Sequence, residues 1–183
     1  MKQWDRHLFS KFALRDVIFL GFCATFIVVS RAGLRLHLNI PGHAMFFTMF
    51  FLILASGCVP KMWASTIVGL VAGCLLVLLG LGKEGPLMVI KLVVPGFIVD
   101  CCRFIYPKMA TSSIACAVVG VIGSASRFLT VIITDTLAGI EWGIIIEHAL
   151  ITSLMGMVFG GLGALMVSPI IRRLEAHNLL HRE

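Results

Sequence analysis

Ionisable side chains interrupt the apolar stretches of this chain at Lys91, Arg127, Glu147 and His148. Charged groups within such stretches are rare and usually serve a substrate pathway or a ligand site. Lys offers a point charge and Arg a planar pair of donors to a carboxylate or phosphate, whereas Glu and His can bind an amine or a ring nitrogen. The residue types therefore predict a site for a small anionic or zwitterionic ligand.

Composition places these stretches in a membrane. The chain has 183 residues, of which 59% are hydrophobic and 13% charged, and its mean hydropathy is +1.03. A water-soluble domain does not tolerate so much apolar surface. The length leaves room for about six helices of roughly 20 residues and for no separate soluble domain. We expect residues 1–183 to form one all-α integral membrane domain with six transmembrane helices.

Uncharged or nearly uncharged runs locate the six spans. We predict them at Val17–Ser30, Ala44–Val59, Met62–Leu81, Gly85–Cys102, Met109–Thr134 and Gly143–Pro169. The second span is short, and Pro60 closes it. The first is a retained helix rather than a signal peptide, because Arg31 follows it directly and no small-x-small cleavage site is present.

The distribution of basic residues predicts the orientation. An even number of spans places both termini on one side, together with most of the 15 Lys and Arg residues. These are Lys2, Arg6, Lys11, Arg15, Lys61, Arg103, Lys108, Arg172, Arg173 and Arg182. The positive-inside rule then places both termini in the cytoplasm of a multi-pass cell-membrane protein. The net charge of +6 reflects this topology rather than a surface for nucleic acid, because it is spread over separate loops.

With that orientation, the ionisable residues fall at one depth near the outer face. Lys91 lies in the outer third of the fourth span and Arg127 in the outer third of the fifth. Glu147 and His148 lie near the outer start of the sixth. Their convergence predicts a ligand site; the alternative is a structural ion-pair network, chiefly Arg127 with Glu147.

Two helical stripes of small and polar residues lead to these positions. They are Gly120, Gly123, Ser124, Arg127, Thr130 and Thr134 on the fifth span, and His148, Thr152, Gly156, Gly160 and Ala164 on the sixth. Stripes of this kind line a cavity or a close helix contact. We therefore include Thr130 and Thr152 among the candidate ligand contacts.

The loop after the first span shows a different pattern. From Leu34 to Ile40 apolar and polar residues alternate strictly, which predicts an extended segment with one apolar face. Such a segment could act as a short lid over the outer end of the bundle; the alternative is an amphipathic loop resting on the membrane surface. Its candidate ligand contacts are Arg35, His37, Asn39 and, after a Pro-Gly turn, His43.

Enzyme signatures are weak throughout the chain. Ser124 lacks the usual setting of an intramembrane serine nucleophile, and Glu147-His148 lacks the second His of a metalloprotease. The 6 cysteines form no Cys-x-x-Cys pair, and no phosphate-binding loop is present. We predict no enzyme activity, no metal and no cofactor, so active transport would need partner proteins or an ion gradient.

A compact six-span chain with cytoplasmic termini, a short second span, a long first outer loop and an outward polar cavity near spans four to six resembles the substrate-binding S component of energy-coupling factor transporters. The resemblance lies in architecture and covers most of the chain. It implies a subunit that binds a vitamin, metal or related micronutrient from outside, docks on a membrane coupling protein driven by two ATPases, and topples within the bilayer to release its load inwards.

Two local features bear on this resemblance. Family members often dock through Ala-x-x-x-Ala on the first span, for which Gly21-x-x-x-Thr25 is a loose equivalent. Nickel and cobalt members carry a metal-binding His at the extreme amino terminus, whereas His7 lies further in, which disfavours a metal substrate. The remaining alternative is a structural or assembly membrane protein whose intramembrane charges form an ion-pair network.

Overall fold

Six α-helices and a short 3₁₀ helix make up the described part of the chain in a computed structural model, which describes residues 13–37, 44–59, 61–81, 85–107, 109–137, 139 and 141–177. The helices are α1 (Leu14–His37), α2 (Ala44–Cys58), α3 (Ala64–Leu78), α4 (Leu87–Ile105), α5 (Ser113–Leu137) and α6 (Trp142–Ala176), with the 3₁₀ helix at Met109–Thr111. The predicted all-α class and the order of six helices are confirmed.

The helices differ in their fit to a membrane. By length and composition, three in the described ranges could cross one: Leu14–Gly33 of α1, and all of α5 and α6. Helices α2 and α3 are apolar but have 15 residues each, which corresponds to about 22 Å against a hydrocarbon core of about 30 Å. Large apolar side chains such as Phe22, Leu154 and Val158 are exposed on the outside of the bundle, as a lipid-facing surface requires.

One end of the bundle, which we call the terminal end, carries the start of α1 and the end of α6. Lys61 Nζ, in the α2–α3 turn, lies 3.0 Å from Asp16 Oδ2 in the first turn of α1. Arg172 Nε, near the end of α6, donates a hydrogen bond of 2.8 Å to the carbonyl of Thr111 just before α5. These contacts hold the start of α1 beside the α2–α3 turn and the end of α6 beside the α4–α5 connection.

The opposite end, which we call the distal end, carries the α1–α2, α3–α4 and α5–α6 connections. Arg31, near the end of α1, donates from Nε and Nη2 to Thr48 Oγ1 near the start of α2, at 3.3 Å each. Its Nη1 lies 3.9 Å from the Met88 sulfur at the start of α4. Arg31 follows the predicted first span directly, but in the structure helix α1 continues through it, and its contacts join three helices at this end.

Glycines allow close approach between the helices. A Cβ on Gly73 of α3 would lie 2.8 Å from the Val89 Cα of α4, and one on Gly163 of α6 would overlap the Phe46 carbonyl of α2. Small residues at such crossings let helix backbones pack directly. Gly73 and Gly163 therefore lie at internal helix contacts of the bundle. Gly21 of α1 differs, because nothing lies within 4 Å of its Cβ position.

Helix α4 also holds both sides of the α2–α3 turn. Asp100 Oδ1 accepts a hydrogen bond of 3.1 Å from the Ser65 backbone amide, and its Oδ2 accepts from the amide and hydroxyl of Thr66 at 2.8 and 2.7 Å. Arg103 Nη1 donates to the Val59 carbonyl at 3.3 Å. One turn of α4 thus caps the start of α3 and the end of α2.

The predicted extended lid is wrong over its first half. Residues 34–37 continue α1, so Arg35 and His37 lie on its last turn. Helical hydrogen bonds form locally, whereas an extended segment needs a neighbouring strand for its backbone groups, and no proline restricts the chain before Pro41. Asn39 and His43 lie outside the described residues.

Candidate ligand-binding site

Helices α5 and α6 pack side by side in an antiparallel pair whose terminal half is tightly closed. A Cβ on Gly120 would lie 2.5 Å from the Ala164 Cβ, and one on Gly160 would overlap the Ser124 hydroxyl. Moving one turn forward on α5 therefore moves the contact one turn back on α6. This register fixes which residues face each other towards the distal end.

The distal half of the same contact is lined by larger polar groups. The Arg127 Cδ lies 3.7 Å from the Cβ position of Gly156. Two turns further, Asp135 Oδ2 lies 3.0 Å from His148 Nδ1. We call this region the polar seam; it comprises Ser124, Arg127, Thr130, Thr134 and Asp135 on α5, and His148, Thr152 and Ser153 on α6.

Buried hydroxyl groups in the polar seam fall into two kinds. Those of Thr130 and Thr134 donate to backbone carbonyls three residues earlier, at 3.1 and 3.0 Å. Those of Ser124, Thr152 and Ser153 are buried and have no hydrogen-bond partner among the described residues. A buried polar atom without a partner costs free energy. Ser124 lies at the closed end of the seam, against Gly160, so the hydroxyls of Thr152 and Ser153 are the two suited to bond a ligand or water held in the seam.

Arg127 lies where three helices meet. It is half-buried, and the Gly156 position beside it also lies 3.6 Å from Met45 Cγ of α2. The Cβ position of Gly123, one turn before Arg127, lies 3.9 Å from the Pro95 carbonyl of α4. Lys91 is one turn from Pro95 in the distal direction, so the antiparallel register of α4 and α5 brings it to the level of Arg127.

Lys91 itself is only 8% exposed on the inner side of α4. The sequence-based expectation that Lys91 and Arg127 share a depth thus agrees with the helix register. Thr130 and Thr152 also lie on buried faces of α5 and α6, at 2% and 4% exposure. The structure places these four predicted residues on the inward-facing sides of three neighbouring helices.

Glu147 does not join the buried group. It is exposed, whereas Ile145 and Ala149, two residues before and after it, are buried. Two residues correspond to about 200° of rotation around a helix, which turns Glu147 away from the bundle. The Glu147 side chain therefore does not lie with those of Lys91 and Arg127 on the inner faces, and its contact with a ligand stays a prediction. Between α5 and α6, the Asp135 carboxylate lies against His148.

Sequence reasoning missed Asp135, which it assigned to the loop after the fifth span. The helix continues to Leu137 and carries Asp135 into the seam, where its side chain is 11% exposed. The signal was available, because Asp135 follows Arg127 by eight residues, a spacing that keeps two side chains near one helix face. Ser153 was missed for a different reason: it is the neighbour of Thr152 in the chain and does not belong to the stripe of every fourth residue that was predicted on the sixth span.

The described residues supply no constellation for metal binding. Within the ranges that the structure covers, no three or more His, Cys, Asp or Glu side chains are grouped closely enough to hold an ion. The cysteines in those ranges are all free thiols, and two of them, Cys74 and Cys101, lie on exposed helix faces. The polar groups that do converge are hydroxyls, the Arg127 guanidinium and the Asp135 carboxylate, a set that suits a small organic ligand better than a metal ion.

Comparison with known proteins bears on the fold. No protein-family model matches the chain, and no curated protein matches it in sequence. The chain is similar to a solved structure described as an S-component of ECF transporter, with a TM-score of 0.65, 16% sequence identity, and coverage of 93% of this chain and 91% of that one. This similarity extends over nearly the whole of both chains and confirms the architectural resemblance. The chain therefore has the fold of an S component of an energy-coupling factor transporter.

Proposed function

We propose that this chain is the substrate-binding subunit of an uptake transporter in the cell membrane. It binds a small, vitamin-like anion or zwitterion at its distal end, facing outwards, and relies on a membrane coupling protein and partner ATPases for uptake. The observation that carries the proposal is the placement of Lys91 and Arg127 at one level on inward faces of α4 and α5, in a chain with the S-component fold.

Charge and burial favour an anionic group on the ligand. Lys91 and Arg127 are cations within apolar stretches of the bundle, so a negatively charged group on a ligand would interact favourably with both. Arg127 would bind a carboxylate or phosphate through paired donors, and Lys91 would add a point charge from α4. Thr130 and Thr152 line the same faces and would contact the remainder of the ligand.

The distal connections would complete the site. Arg35 and His37 end α1 at the distal end, and Asn39 and His43 follow in the connection to α2. We propose that these four residues close over a bound ligand. His148 and Glu147 would lie at the entrance, His148 against Asp135 and Glu147 on the exposed rim.

Ligand retention tests this function. The chain, purified in detergent without added small molecules, is expected to carry one vitamin-like molecule per chain in native mass spectrometry, because a high-affinity binding subunit retains its cargo through purification. Extraction and fragmentation would identify the molecule. A chain with no bound molecule and no thermal stabilisation by a panel of vitamins would instead support a structural or assembly role for the buried charges.

One face of α1 is the candidate contact for the coupling protein. The Gly21 Cβ position is open, Thr25 is exposed with its hydroxyl bonded at 2.9 Å to the Gly21 carbonyl, and the rings of Phe22 and Phe26 lie exposed beside them. A small-residue patch between apolar side chains lets a second helix approach closely. This patch stands where the first-span motif of S components would lie.

Enlarging that patch is expected to impair docking. Gly21→Trp should lower the amount of ATPase subunit that co-purifies with the tagged chain from its native membrane by at least about fivefold, because the indole blocks close helix approach. Ligand retention should be unchanged. Leu154→Trp, on an exposed position of α6, is the matched control. Equal recovery of the ATPase subunits with both variants would show that docking uses another face.

A further inference from the structure

Asp135 is a carboxylate inside the polar seam whose partner is a largely exposed side chain. The Asp135 side chain is 11% exposed and that of His148 is 58% exposed, and their contact of 3.0 Å is the hydrogen bond that the structure gives Asp135 among the described residues. Because His148 stands on the solvent side of the pair, rotation of its ring outwards would uncover the carboxylate without moving a helix. The carboxylate would then face the seam.

The register of α5 and α6 places this carboxylate in line with Arg127. Gly156 faces Arg127 and His148 faces Asp135, so Thr152 and its neighbour Ser153 fall at the level between them. Eight residues separate Arg127 from Asp135, which corresponds to about 12 Å along the helix axis. A cation and an anion thus stand at the two ends of one buried strip.

The groups between these two poles are suited to bind a ligand. The hydroxyls of Thr152 and Ser153 are buried at 4% and 3% exposure and have no hydrogen-bond partner among the described residues. A purely structural Arg–Asp arrangement would gain nothing from unpartnered hydroxyls in the gap, since such groups cost free energy. A ligand lying along the seam would satisfy them.

We propose that Asp135 is the second pole of the ligand site and binds a cationic group of the substrate after displacing His148. This inference rests on the proposed function and narrows it: the substrate class is an extended zwitterion, with its anionic group at Arg127 and its cationic group several bonds away. An α-amino acid does not span the seam, because its two charges lie on adjacent groups.

Charged thiol reagents test the seam without knowledge of the ligand. Thr152→Cys places a thiol between the two poles, and its modification from outside by a cationic and an anionic methanethiosulfonate of similar size is followed by peptide mass mapping. In the Thr152→Cys variant, the rate of modification by the cationic reagent is divided by the rate by the anionic reagent. Adding Asp135→Asn is expected to lower this ratio by roughly tenfold, because a nearby negative charge attracts the cationic reagent and repels the anionic one. Ser153→Cys provides a second reporter.

The matched control is Glu141→Gln, which removes an exposed carboxylate just before α6. It should change the rate ratio by less than about twofold, since charges in water are screened. No modification at position 152 or 153, or an unchanged ratio with Asp135→Asn, would overturn the inference. A retained ligand that lacks a cationic group would also overturn it while leaving the proposed function intact, whereas absence of any ligand would count against the proposed function itself.

Discussion

Arg127→Gln is expected to lower ligand affinity by roughly 100-fold, so that the purified variant carries no ligand. Hydrogen bonds to a charged group contribute about 1.5–3 kcal/mol, and an anion left in a buried site without its partner costs more. A loss of about 2.7 kcal/mol corresponds to that change in affinity. Arg127 stands beside Gly156, where α2, α5 and α6 meet, so the neighbouring helices offer little room for another donor to replace it.

The measurement is the ligand content of the purified variant by native mass spectrometry, together with its thermal shift on adding the ligand that the wild type retains. Arg127→Lys should recover part of the affinity, because it keeps the charge but loses the planar pair of donors. Arg173→Gln, an exposed position in the last turn of α6, is the control with the same chemical change at the terminal end. Wild-type ligand content in a folded Arg127→Gln variant would place the anion site elsewhere.

The positions of Lys91 and Arg127 could be predicted because they depend on local properties of the sequence. Apolar runs locate the helices, and the number of residues from each helix end sets the depth of a charge. The spacing of small residues likewise predicted the face of α6 that packs on α5, since a small residue every four positions lies on one helix face. These features need no knowledge of which neighbour each face meets.

Glu147 and Asp135 show where this reasoning ends. Glu147 shares its depth with His148, but depth does not determine whether a side chain faces the bundle or the lipid; the contact with α5 decides that. Asp135 depends on a helix boundary, and a difference of one turn carried it from a predicted loop into a buried seam. Helix ends are the least determined by sequence, because their unpaired backbone groups can be satisfied by side chains distant in the chain.

Asp100 is a side chain distant in the sequence that satisfies the backbone groups at the start of another helix, and its removal is expected to have a large effect on stability. Helix α3 begins after Trp63, whose backbone φ of 71° lies in the left-handed region and whose side chain makes no capping hydrogen bond. The carboxylate of Asp100, from α4, accepts from the first amides of α3 in its place. A negative charge at a helix N-terminus also interacts favourably with the helix dipole. The start of α3 is therefore defined by a residue of another helix.

We expect Asp100→Ala to lower the free energy of unfolding by about 2–4 kcal/mol, because it leaves the Ser65 amide and the Thr66 amide and hydroxyl without their acceptor inside the bundle. Thermal unfolding in detergent would measure the loss as a lower melting temperature. Asp16→Asn removes one partner of the less buried ion pair with Lys61 and should cost at most about 1 kcal/mol. If the two variants had the same melting temperature, the hydrogen bonds of Asp100 would not be what stabilises the start of α3. If Asp100→Ala melted earlier yet kept its ligand at low temperature, the terminal-end contacts would stabilise the fold independently of the distal site.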